Sequence, residues 1–216
     1  MGIIKRGILG GVSNKIGNVV GSSWKGIATL RSLPLSVANP NTKAQRDNRD
    51  TFSAMSKLGS EVLATVCQPL WNRDAKQMSG FNAYVMDNKI AFDADPLEWL
   101  LNPIMSKGSL SSTLQNAGLA DGGANLTLVY DRTLKNPQDS ADDIAYVQVI
   151  HQNNTDPDKP VFHAKGFITT AKRSESHLQV ENPFEPNEGD KLVISLSFKS
   201  VDGREVATSS SLVISL

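Results

Sequence analysis

The chain has one cysteine, Cys67, in 216 residues. That excludes an internal disulfide and any metal cluster built on cysteines. Aromatic residues make up only 6% of the sequence. Trp24, Trp71 and Trp99 lie too far apart to form a stacking platform, so they are expected to act as core or interface anchors. No apolar run approaches the ~18 residues needed to span a bilayer, so no membrane partner is expected. The opening, MGIIKRGILGGVSNKIGNVVG, has early basic residues but no uninterrupted apolar stretch, which makes it a poor secretory leader. The expected location is the cytoplasm.

Signals of chemistry are equally sparse. The three histidines, His151, His163 and His177, show no metal-type spacing and are expected to be surface or core residues. Gly10-Gly11 with Ser13 and Lys15 has the look of a phosphate loop, but no G-x-x-x-x-G-K-[ST] is present. Acidic residues gather at Asp139, Asp142 and Asp143, and again at Asp156 and Asp158. They lack the twelve-residue calcium-loop signature, and loop solvation explains them as well. With no G-x-S-x-G, no defensible Ser/His/Asp order and no carboxylate pair on one helix, neither an enzyme nor a cofactor is expected.

What the chain does have is one long amphipathic run, Asn39 to Val66, with unlike regions on either side. Asn39-Pro40 cannot lie inside a helix, because the proline ring disfavours helical geometry in the residue before it. Thr42 is the expected N-cap, and Gln45 completes a capping box. Phe52, Met55, Leu58, Val62, Leu63 and Val66 then recur at helical spacing. Gly59 weakens the helix by ~1 kcal/mol relative to Ala, so either a neighbour packs closely there or the helix bends. Gln68-Pro69 is expected to end the run. Two shorter helical pieces follow, one capped by Ser79 with Phe81, Tyr84, Val85 and Asn88 on one face, the other opened by Asp95-Pro96 and closed by Asn102-Pro103.

Before the helix, residues 2–33 carry glycines at 2, 7, 10, 11, 17, 21 and 26 between short apolar pieces. This reads as one or two β-hairpins, with turns at Ser13-Asn14-Lys15 and Gly21-Ser22-Ser23. So small a hairpin region cannot bury a core of its own. The arm is also basic. Residues 1–49 hold eight basic side chains against one acidic, a balance of +7, and since the whole chain is neutral the remainder carries −7. Such an arm fits nucleic acid, an acidic surface on a neighbouring copy, or its own acidic body.

From Lys107 the texture changes to strands. Ser109–Leu114, Asn125–Tyr130, Ile144–His151, Val161–Thr169, His177–Glu181, Lys191–Lys199 and Glu205–Ile214 are separated by turn signals such as Asp121-Gly122-Gly123 and Asp202-Gly203. Leu192, Ile194, Leu196 and Phe198 show clear alternation. The expected fold class is α+β: a hairpin arm (1–38), a helical region (39–106) and a seven-stranded immunoglobulin- or fibronectin-like β-sandwich (107–216).

Two segments together carry a resemblance. GILGGVSNKIGNVVGSSWKGIATLRSLP and ANPNTKAQRDNRDTFSAMSKL, followed by SGFNAYVMDN and MSKGSL, resemble a family of proteins of unknown function from Bacteroidota and their phages. The family pattern is a glycine-rich opening, Trp-Lys-Gly, Ile/Leu-Arg, and Asn-Pro-x-Thr-x-x-Gln-x-x-x-Arg-x-x-Phe. It falls here on Trp24-Lys25-Gly26, Leu30-Arg31, Asn39, Thr42, Gln45, Arg49 and Phe52. One departure is Asn14, where the family usually has glycine. Related openings occur near phage structural genes, so the resemblance implies a virion structural protein that assembles with itself and with other virion proteins. Trp24 would anchor the arm, Arg31, Gln45 and Arg49 would position it, and Lys25 belongs to the same motif set. DNA bound through the basic arm is one alternative. A surface- or carbohydrate-binding module using loops near Asn153–Asp158 is the other.

Overall fold

The computed structural model describes residues 3–4, 12–36, 40–73, 75–153, 161–185, 187 and 189–215. The fold is mixed α+β, with eleven strands in three antiparallel sheets among these residues. It divides into two compact units, one of Met1–Arg46 with Lys76–Met78 and one of Asp47–Ala75 with Ser79–Leu216.

The first unit is a meander of β1 (Ile3–Ile4), β2 (Val12–Ile16), β3 (Val19–Trp24) and β4 (Ile27–Ser32), paired in chain order. Two-residue turns join the last three strands. Gly17 supplies a positive φ of 56° in one, and Lys25 (44°) with Gly26 (86°) forms the other, a type I′ turn whose hand matches strand twist. The expected turns at Ser13–Lys15 and Gly21–Ser23 instead lie inside β2 and β3. The reason is local: Asn14 takes φ 71°, a left-handed kink within the strand that asparagine tolerates next best after glycine. At Gly21 a Cβ would run into the Val12 carbonyl, so the close approach of β2 to β3 requires glycine there.

α1 (Lys43–Glu61) opens with the expected capping box. The Thr42 amide donates to Gln45 Oε1 (3.2 Å) and the Gln45 amide donates to Thr42 Oγ1 (3.3 Å). Met55, Leu58 and Val62 are buried, whereas Phe52 is exposed, so the apolar stripe begins one turn later than its spacing suggests. A Cβ on Gly59 would lie 3.1 Å from Phe81 and from Val85, which shows that glycine admits close helix packing. The helix does not stop at Pro69. It widens into a π-type segment, Leu63–Trp71, whose opening includes the bond from the Cys67 amide to the Val62 carbonyl (3.2 Å). Wider turns accommodate a proline that has no N–H to give and whose ring would crowd an α-helical carbonyl. α2 (Gly80–Ala94) and α3 (Pro96–Leu101) start at their expected caps, Ser79 and Asp95.

Beyond the helices, β5 (Leu114–Ala120), β6 (Asn125–Tyr130) and β9 (His177–Glu181) form one sheet in the order β5-β6-β9. The strands β7 (Ile144–Asn153), β8 (Val161–Lys172), β10 (Lys191–Lys199) and β11 (Ser210–Ser215) form another, in the order β11-β10-β7-β8. The first expected strand, Ser109–Leu114, is corrected: Leu110 makes only an isolated bridge to Ala207, and β5 begins where that strand should have ended. Asn116 and Gly118 give β5 low strand propensity, and pairing with β6 overrides it. The last strand starts at Ser210, five residues after the expected Glu205.

β7 and β10 are buried along nearly their whole length because they are covered on both faces. One face carries Ala145, Val147, Val149, Leu192, Ile194, Leu196 and Phe198, packed with Leu126, Leu128 and Tyr130 of the β5-β6-β9 sheet. The other face meets the helical segments. There Gln148 Nε2 donates to the Tyr84 hydroxyl (2.8 Å), and Gly166 lies too close to Thr65 to admit a side chain. Asn88 ties the helical layer together. Its amide donates to the Tyr84 and Ile104 carbonyls, and its oxygen accepts from Trp99 Nε1 (2.8 Å) and the Ile104 amide (3.1 Å). All the buried apolar residues among those described fall between Met55 and Ala207. The second unit therefore owns the core.

Candidate interaction surface

The motif residues of the arm lie on a sheet that buries no apolar side chain among its described residues. In the β3–β4 ladder Trp24 faces Ile27, Ser22 faces Thr29 and Val20 faces Arg31. Pleating then puts Trp24, Ile27, Thr29 and Arg31 on one face, and Ala28 and Leu30 on the other. Every β4 residue is exposed, and so are Ile16, Val19, Trp24 (60%) and Leu30 (63%). The Ser22 and Thr29 hydroxyls lie 2.8 Å apart and bond across the ladder. Lys25 Nζ donates to the Met78 carbonyl within the same unit. Thr42 and Gln45 are engaged with each other in the capping box, so their motif spacing has a local structural role. Arg49 and Phe52 are exposed on α1. Asn39, Gly10 and Gly11 lie outside the described residues, as do Asp156, Asp158 and most of the Asn153–Asp158 loop.

The histidines occupy separate structural pairs. His151 is buried with Nε2 2.9 Å from Asp190 Oδ2 and its ring against Phe184. His163 Nδ1 lies 3.1 Å from Glu61, whose carboxylate also accepts from the Ala164 amide (2.6 Å). His177 Nδ1 donates to the Glu175 carbonyl (2.9 Å). Among the described residues no group of three His, Cys, Asp or Glu side chains is arranged to hold a metal ion. Cys67 is buried, and desolvation pushes its thiol up to about 12, so it stays protonated at neutral pH.

The acidic cluster is not a solvated loop. Asp139 and Asp143 are buried around Arg173, itself fully buried, with Asp143 Oδ2 3.1 Å and Asp139 Oδ1 3.7 Å from its guanidinium. Arg173 also lies 4.2 Å over the Phe198 ring. Burial alone would raise the Asp139 carboxyl. Hydrogen bonds from the Ser111 hydroxyl, the Ser111 amide and the Asn136 amide, with the Arg173 charge, hold it below the usual carboxylate range instead. Asp142, by contrast, is exposed and pairs with Lys172 (2.8 Å). The clustered aspartates were the available sequence signal; their burial around Arg173, thirty residues after Asp143, was not readable.

A feature with no sequence signal is a groove between the edge strands of the two packed sheets. Phe167 to Ala171 of β8 line one wall and His177 to Glu181 of β9 the other, with Glu175 at one end. Among the described residues, strand order leaves the outer edges of β8 and β9 without a neighbouring strand. Near its start β8 is guarded by Glu61 bonding the Ala164 amide; the groove lies beyond that guard.

Comparison with known families matches residues 10–213 to a family of unknown function, DUF6266. No curated protein and no solved structure matches the chain. The chain belongs to the DUF6266 family.

Proposed function

For this member of a family of unknown function, we propose a non-enzymatic assembly protein whose N-terminal meander docks onto neighbouring subunits. The observation that carries this reading is the arm's exposed apolar surface: four paired strands with Trp24, Leu30, Val19 and Ile16 open and no buried apolar side chain among those described. Strands so arranged gain little stability from burial alone, and an added partner surface supplies it. The +7 balance of residues 1–49 against −7 elsewhere favours a second copy as that partner. We place the assembly in a phage virion, in a head, neck or tail, on the resemblance of the opening motifs.

We read the two C-terminal sheets as an immunoglobulin/fibronectin-type sandwich. The support is strand order: β5-β6-β9 against β11-β10-β7-β8 corresponds to the A-B-E and G-F-C-C′ sheets of a fibronectin type III domain. A sandwich of this kind is stable through its inter-sheet core and leaves edges and loops for contacts.

The test is the mass in solution of the full chain beside a chain lacking residues 1–33. A defined oligomer for the full chain and a folded monomer for the truncation support the reading. The same number of subunits for the two overturns it. Binding of DNA by the full chain, falling steeply with added salt and lost in the truncation, would favour a DNA-associated arm instead.

A further inference from the structure

We infer that the groove between β8 and β9 is the receptor for the arm, and that it takes strand β4 of a second copy as an added strand on β9. This rests on the assembly reading above and names the surface that reading leaves open.

Three observations lead to it. First, β4 ends its sheet, so its outer edge has no strand neighbour; it is six residues long, contains no proline, and exposes every side chain. β9 likewise ends its sheet and is five residues long. Two bare edges of matching length in one polypeptide satisfy each other's backbone groups when paired between copies. Second, β9 is the better template of the two walls. β8 departs from regular pairing opposite Ala145, where its register with β7 shifts, and a bulged edge breaks the ladder that an incoming strand needs. β9 pairs with β6 in unbroken register from His177 to Glu181.

Third, the side chains match in period and charge. In β9, Leu178 and Val180 point inward and His177, Gln179 and Glu181 outward. In β4, Ala28 and Leu30 share one face and Thr29 and Arg31 the other. Added parallel to β9, β4 sets Leu30 towards the apolar floor of Phe167, Leu178 and Val180 and brings Arg31 to the outer face that carries Glu181. The groove lining contains two carboxylates, Glu175 and Glu181, and no lysine or arginine, and it meets a strand from the basic arm. A one-residue slip would put Arg31 over the apolar floor, so the pairing also has a preferred register.

The experiment is subunit complementation, followed by mass in solution. One variant keeps the arm but carries Ile168→Lys and Glu181→Lys, both at exposed positions, so the fold is retained. The other keeps the groove but lacks residues 1–33; the buried apolar residues among those described all lie outside that segment, so this chain is expected to fold. Each alone is expected to be a monomer, and a 1:1 mixture is expected to give a species whose mass is the sum of the two chains. If the groove variant alone assembles as the full wild-type chain does, the arm docks elsewhere: this inference fails and the assembly reading stands. A mixture that stays monomeric also overturns the inference. A monomeric wild-type chain overturns both.

Discussion

The two units of this protein solve the problem of strand edges in opposite ways. In the larger unit, β7 and β10 are covered on both faces, the start of β8 is guarded by Glu61, and one cluster of charges is internal, with Arg173 held between Asp139 and Asp143. In the arm, the described residues of β2, β3 and β4 bury no apolar side chain, and among the described residues β4 has no strand neighbour on its outer edge. The difference teaches that local sequence quality and burial are separable. The arm has the turns, the register and the close-approach glycine of a well-specified sheet, while its described residues bury no apolar side chain that would stabilise it. In our account a neighbouring copy supplies that burial.

Substitutions in the two units should therefore have unlike consequences. The largest effect is expected at Arg173. Arg173→Ala leaves two buried carboxylates without their cation and should cost about 3–5 kcal/mol in urea unfolding. A loss under 1 kcal/mol would mean that the cluster is solvated after all. Next comes Asn88→Leu, which strands the Tyr84 and Ile104 carbonyls and the Trp99 indole, at about 2–4 kcal/mol by the same measurement.

A smaller, pH-dependent effect is expected at Asp139. Its carboxyl is lower in the folded chain than the ordinary value near ~4 in the unfolded chain. Its ionised form therefore stabilises the fold above about pH 4, and that contribution is lost as pH falls through the depressed folded value. The stability gap between the wild type and Asp139→Asn should be widest at neutral pH and narrow in acid; a gap that widened in acid would reverse the sign. The smallest effect on stability should be Leu30→Asp in the arm. At a position 63% exposed it should shift unfolding by less than about 0.5 kcal/mol while abolishing self-association. A matching loss of stability in the monomer would tie the arm to the core and erase the contrast.

Much of this contrast was legible in the sequence, and the reasons are physical. Local rules found what local forces decide: the Thr42–Gln45 box, the caps at Ser79 and Asp95, and the strands Asn125–Tyr130, His177–Glu181 and Lys191–Lys199 at their observed bounds. Where tertiary pairing decides, the reading slipped. Asn116 and Gly118 hid β5, Asn14 looked like a turn although it kinks a strand, and Pro69 looked like a helix stop although wider turns absorb it. Burial of Asp139 and Asp143 depends on Arg173, about thirty residues further along the chain. The groove depends on which strands end their sheets. No local pattern encodes either.

The central claim is that the arm is held by another copy and the body holds itself. Amide hydrogen exchange measured at increasing protein concentration tests it most directly. The account predicts that protection across Val19–Ser32 rises with concentration while β7 and β10 stay fully protected throughout. Protection of the arm that does not change with concentration would contradict it.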